Sequence, residues 1–475
     1  MSDEPRSLPE TLPAPNHASA EEEVRQRSET VRTGLGPPVV LATGRRTILK
    51  GEGGRVAVVD GCRTPFARSG EELKSLDVVD LATVAGREVV ARTGIDPGQI
   101  DRSIFGAVAP APDAPNLGRE VVLRAALPPS IPGSTVNLAC ASSARALVFG
   151  AQSILCGESR VVLAGGAESL SNIPVTFGHN AARRLIEAAR TKSVKNKLSV
   201  LARLRLKDLA PVIPSIAEYS TGLTMGEVCE RMAKENDVSR RSQDEIALFS
   251  HRRAWAAAEA GRLDEVVPTL PRGGTFLGRD GAVRPDTSEA ALAALPPAFD
   301  AEHGSVTAGN SAPLADGAAA LLLASEEAAK ELGSEPLGYL RSFSFLAFDL
   351  ALQPLQGPVY AMAQALDRAG LELSDIELFE LHEAFGAQVL SNLKAVTSRR
   401  FAREELGRSE PLGEIDLERL NVNGGTLAFG HPFGATGARL VLQLLYEMRR
   451  RDLSLGMAAG CAAGAVSYAL VLERP

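Results

Sequence analysis

Short apolar runs without polar alternation, set among stretches of helical period, constrain this chain more than any other feature. They are Arg55–Asp60, Ser103–Val108, Arg160–Gly166, Ala318–Leu323 and Ile376–Leu381. A strand that lacks alternation is covered on both faces. Helical patterns over Asp77–Arg92, Arg119–Ala126, the stretch from Cys140 to Ile154, and Arg439–Met448 supply the cover. The alternation predicts an α/β protein with a mainly parallel sheet and helices on its faces. Abundant Ala and Gly, with only 4% aromatic residues, suit close approach of backbones between such layers. The most apolar tract, Met457–Leu472, is short and rich in Gly, Ala and Ser, so it reads as a buried strand pair rather than a membrane span.

Residues 1–53 are rich in Pro, Glu, Ser, Thr and Arg and show no hydrophobic period, which predicts a disordered extension. A first domain is expected over 54–331 and a second over 332–475, divided near Glu335-Pro336-Leu337-Gly338. Within the first, about 171–268 has little strand pattern and reads as an insertion. Residues 182–207 are strongly basic, with leucines and Ile186 between the charges. They read either as a solvated amphipathic surface or as a patch for anionic membrane or CoA phosphates. A net charge of −7 argues against nucleic acid as a partner. The five cysteines show neither metal-ligand spacing nor a disulfide framework, which predicts no metal and a reducing cytoplasm. Residues 1–40 are polar and acidic enough to disfavour a targeting segment.

Four places could carry chemistry. Cys140 sits where an apolar run becomes a helix, and the positive helix end there favours a thiolate. Alone it reads more readily as a small buried hydrophobe, and its partners along the chain reverse that reading. His382-Glu383 ends an apolar strand, where a lone histidine is more often a satisfied core residue. His431 stands among Gly430, Gly434 and Gly437 just ahead of a helix, as a positioned general base would. Cys461, in Gly460-Cys461-Ala462-Ala463-Gly464, reads as the tip of a hairpin-like turn between two apolar runs. Claisen-type C–C cleavage needs a thiolate, a base to form it, a second acid/base at the α-carbon, and donors for two oxyanions. Cys140, His431, Cys461 and their small-residue backbones supply that set.

The motifs around Cys140, Gly165–Ser169, Val306–Ser311, His382–Phe385, Gly430–Pro432 and Cys461–Gly464 occur in the order found in the thiolases, and from about Arg55 to Glu473 the chain resembles that family. His382, Ser143 and the Cys-Ala-Ala-Gly turn are most similar to the β-subunits of fatty-acid oxidation multienzyme complexes. The resemblance implies a thiolase fold: two similar βαβαβαββ halves in five layers (α-β-α-β-α), with an inserted loop domain. It implies thiolysis of 3-oxoacyl-CoA in β-oxidation, with condensation to acetoacetyl-CoA as the alternative. Cys140 would carry the acyl group, His431 act as base and Cys461 as acid/base. His382 would hold an oxyanion water, and Glu383 would orient its neighbours. Asn310, Phe385, Ala463 and Gly464 would bind substrate. CoA is then a substrate and no cofactor is expected. A homodimer, an α-subunit with hydratase and dehydrogenase activities, and peripheral membrane contact through 182–207 are the implied associations. A ketoacyl-synthase-like enzyme would leave Cys461 without a role. A lipid-carrier-like relative would lack part of the catalytic set.

Overall fold

The computed structural model describes residues 49–212, 217–333, 335–350 and 353–474. The first half comprises β1 (Gly54–Arg63), α1 (Val78–Thr93), β2 (Arg102–Gly106), α2 (Leu117–Arg124), β3 (Gly133–Val136), α3 (Ser142–Leu155) and β4 (Val161–Ser169). An insertion follows with α4 (His179–Arg190), α5 (Val194–Leu201), α6 (Met225–Glu235) and α7 (Arg240–Glu259), and β5 (Ala315–Ser325) closes the half. The second half repeats the order with β6 (Gly338–Ala347), α8 (Gly357–Ala369), β7 (Leu378–Leu381), α9 (Gly386–Thr397), α10 (Thr436–Arg451), β8 (Leu455–Ala462) and β9 (Val466–Glu473). Every residue of β4 and β5 is buried, as strands covered on both faces require.

The strands run β7-β8-β9-β6-β1-β5-β4-β2-β3. Only two residue pairs, Gly338↔Val58 and Tyr339↔Ala57, join the halves at β1–β6. The expectation of a mainly parallel sheet needs correction. Pairing is parallel at the two ends, in β2–β3, β2–β4 and β7–β8. It is antiparallel between, because each half ends on a strand that returns beside the one before it. The third strand of the second half is reduced to one parallel bridge, Phe379↔Leu420. Asn421 completes the edge with its side chain: Leu381 N–H donates to Oδ1 at 2.8 Å, and Nδ2 donates to Leu381 C=O at 2.9 Å.

The helices make the layers. α1 and α2 pack on one outer face, α8 and α9 on the other, and α3 and α10 lie between the sheets. α3 and α10 meet closely. A Cβ on Gly437 would stand 2.7 Å from the Ala144 backbone nitrogen, and Ala438 N–H donates to Ser143 Oγ at 2.9 Å. Gly437→Val should therefore destabilise the protein by about 1–3 kcal/mol through overpacking, read from urea unfolding. An unchanged midpoint would show that this contact does not set the layer spacing.

Two further expectations shift. Lys50–Gly51 pair with Gly54–Arg55, so the last residues of the predicted extension, 50–53, belong to a strand pair, and its residues 1–48 lie outside the described residues. The basic 182–207 segment is broken into α4, α5 and a short turn, with Ile186, Val194 and Leu198 exposed rather than covered. Among the described residues no helix is long and apolar enough to cross a membrane.

Candidate active site

The two middle-layer helices bring their N-termini to one place. Cys140 lies two residues before α3 and His431 five before α10. The Cys140 loop is tight. Ala139 has φ +45°, a region that disfavours side chains. Ser142 braces the loop, its Oγ accepting from Leu138 N–H at 2.8 Å and donating to Ala139 C=O at 2.6 Å. Glu168 ties the His431 loop to the first half: its carboxylate accepts from the N–H groups of Val108, Ala109 and Gly434. The Gly165-Gly166 pair admits backbone here, since a Cβ on Gly166 would meet Gly434 C=O at 2.0 Å.

Cys140 Sγ and one ring nitrogen from each of His382 and His431 all lie within 4.8 Å of one another. The imidazoles are buried with centroids 4.4 Å apart. The hydrogen bonds of His431 select its tautomer. Thr436 Oγ1 donates its one proton to Pro432 C=O at 3.0 Å, so at 2.7 Å it accepts from His431 Nδ1–H. His431 Nε2 is left as a free lone pair. Thr426 Oγ1 accepts from Arg439 Nη2 at 2.7 Å and is 3.1 Å from His382 Nδ1. That contact serves either tautomer of His382: with Thr426 donating, the ring carries Nε2–H. Neither Nε2 has a partner.

Burial acts against charge here. It pushes the Cys140 thiol up to about 12, outweighing the backbone N–H groups of Ala463 and Cys140 that favour the thiolate. Burial, helped by Arg439, pulls His431 down to about 3, and His382 is also lowered. Burial thus opposes the helix end and the backbone N–H groups at Cys140. The resting pair is thiol and neutral imidazole, so the proton moves when an electrophile is attacked.

Cys461 is in β8, paired with Ser467, and not at the turn tip; the turn is Ala463–Ala465. It is buried, and burial with Cys140 nearby raises its thiol. Gly464 and Ala465 take φ of +79° and +54°, and Gly464 N–H donates to Glu218 Oε1 at 2.7 Å. Ala465 thus occupies a conformation that suits glycine. Phe385 packs edge-on to Phe299 and in one cluster with Cys461. Asn310 is not free to bind substrate as expected. Its amide donates to Asp244 Oδ1 and Ser305 C=O and accepts from Thr307 N–H, so it braces its own loop. Glu383 accepts from Ser250, Asn421 and Leu427 N–H, which holds the strand end carrying His382.

The family description "Thiolase, N-terminal domain" matches residues 56–327, and "Thiolase, C-terminal domain" matches 334–474. The chain belongs to the thiolase family. A 3-ketoacyl-CoA thiolase of Serratia proteamaculans is 47% identical over 423 residues, 89% of this chain and 97% of that protein. One of Yersinia enterocolitica is 46% identical over 424 residues, with the same coverage. The human mitochondrial 3-ketoacyl-CoA thiolase solved with CoA aligns at TM-score 0.76 and 31% identity over 91% of this chain and all of that one. An acetyl-CoA acetyltransferase of Bacillus anthracis aligns at 0.76 and 32% over 90% of this chain and all of that one. In this thiolase, sequence reading missed Thr436, Thr426 and the buried Arg439–Glu380 pair behind Thr426. Thr436 had a signal, a hydroxyl five residues after His431 at the helix start. Thr426 had none, because its partners come from distant segments.

Proposed function

We propose that this thiolase is a 3-ketoacyl-CoA thiolase of fatty-acid β-oxidation, working through an acyl-Cys140 thioester. The convergence of Cys140 Sγ with the two histidines carries the reading, and the relatives support it. His431 Nε2 takes the Cys140 proton as sulfur attacks the 3-oxo carbon. The C2–C3 bond then breaks, and Cys461 gives its proton to C2 of the leaving acetyl-CoA carbanion. A second CoA loses its thiol proton to the Cys461 thiolate and attacks the acyl thioester; Cys140 sulfur leaves, takes back the proton held on His431, and the shortened acyl group departs on CoA. The N–H groups of Cys140 and Ala463 face the tetrahedral oxygen. His431 and His382 Nε2–H, directly or through water, face the acetyl-CoA thioester oxygen. The test is CoA-dependent loss of 3-oxoacyl-CoA enolate absorbance. Faster cleavage of a long-chain substrate than of acetoacetyl-CoA is expected. Activity confined to the four-carbon substrate would move the assignment to acetoacetyl-CoA chemistry.

Thr426 is a positioning residue in this scheme. Thr426→Val should lower kcat about tenfold with KM little changed, below the 10²–10³ of a deleted oxyanion donor, and Thr426→Ser should restore it. Equal loss in both variants would assign Thr426 to packing alone.

The setting is cytoplasmic in this reading, with a homodimer and an α-subunit as partners. Exposed Ile186, Val194 and Leu198 among Arg183, Arg184, Arg190, Lys192, Lys195 and Lys197 favour docking to an anionic lipid surface. Charge reversal of Arg183, Arg184 and Lys192 should abolish co-sedimentation with anionic vesicles and leave thiolysis of a short substrate intact. Unchanged sedimentation would remove the membrane role.

A further inference from the structure

A thiol and two imidazoles, far apart in sequence, form a donor set that spacing alone does not disclose. We propose that Cys140, His382 and His431 bind Zn2+, or another borderline-soft divalent cation, and that the bound ion reversibly blocks the active site. The binding half of this inference is independent of the reaction; the inhibition half rests on the proposed thiolysis.

The ligand types are those of an open zinc site, three protein donors with a fourth position left over. Tetrahedral bonds of about 2.0–2.1 Å to nitrogen and 2.3 Å to sulfur need donor separations of roughly 3.3–3.7 Å. The present separations, all within 4.8 Å, require closure by about 1 Å, within reach of small side-chain rotations. Both Nε2 atoms are buried and without a partner, while each Nδ1 is held by a threonine hydroxyl. Metal-bound histidines have this arrangement: the distal nitrogen is anchored and the near one points at the ion. His431 already has the ligating tautomer. His382 reaches it by moving its proton to Nδ1, where Thr426 Oγ1 has a second lone pair to accept it. The Cys140 thiol proton is released as the Zn–S bond forms, and the sulfur stays at the same oxidation level. Cys140 is half-buried, whereas both histidines are enclosed, so an ion enters past the cysteine.

The same three atoms cannot hold an ion and an acyl group together, so the metal and the acyl donor exclude each other. Co2+ added to the full-length protein is the probe, because a cobalt–thiolate bond gives a charge-transfer band that other ligands do not. One equivalent of Co2+ should produce the band, and one equivalent of Zn2+ should remove it. Cys140→Ser should abolish it. His382→Asn should weaken binding by about 10- to 100-fold, and Cys156→Ser, at an exposed thiol, should change nothing. In the unaltered protein Zn2+ should slow alkylation of Cys140, scored by peptide mass spectrometry, and a chelator should restore both alkylation and thiolysis. This second measurement needs no variant and stands if a variant fails to fold. A band that survives in Cys140→Ser, or Cys140 alkylation unaffected by Zn2+, overturns the site. Metal binding in a protein without thiolysis would overturn the reaction and leave the site. Thiolysis without metal binding would do the opposite.

Discussion

Cys140→Ala lowers CoA-dependent thiolysis by about 10⁴-fold or more while the fold stays intact. The loop holds its shape through Ser142, Ala139 and Asn137 rather than through the sulfur. Removing one half-buried atom therefore disturbs little structure. The two histidines converge on Cys140, and Cys461 stands outside that trio in strand β8. Circular dichroism checks the fold and the enolate assay checks the rate. Turnover within tenfold of the unaltered enzyme would mean that the acyl group is not carried on residue 140.

Cys461→Ala separates the two half-reactions. Turnover should fall by about 10²–10⁴, the range of a lost general acid or base, yet Cys140 should still be acylated by a simple acyl-CoA. The raised thiol of Cys461 suits an acid: it carries a proton at neutral pH and has one to give to a carbanion. Loss of acylation in a well-folded Cys461→Ala protein would contradict this division of labour.

Much of this was legible in the sequence. Unalternating strands announced buried sheets, and β4 and β5 are buried throughout. Cys140 and His431 were legible because each stands at the junction of loop and helix, where backbone geometry aims a side chain. What stayed hidden depends on distant segments. Asn421 replaces a strand ladder with one amide, which no periodicity reveals. Asn310 looked free because its partner Asp244 lies on α7, 66 residues away. The anchoring of the two histidines depends on Thr436, Thr426 and Arg439, which sequence does not place together. At Cys140 the sequence shows the helix end that favours a thiolate but not the burial that opposes it.

The most direct measurement is acid-quench mass spectrometry of the protein mixed with a 3-oxoacyl-CoA in the absence of free CoA. A mass increase equal to the shortened acyl group, mapped to the peptide containing Cys140 and released on adding CoA, is the predicted result. An unmodified Cys140 peptide under conditions where thiolysis proceeds, or an acyl group mapped to Cys461, would contradict the account.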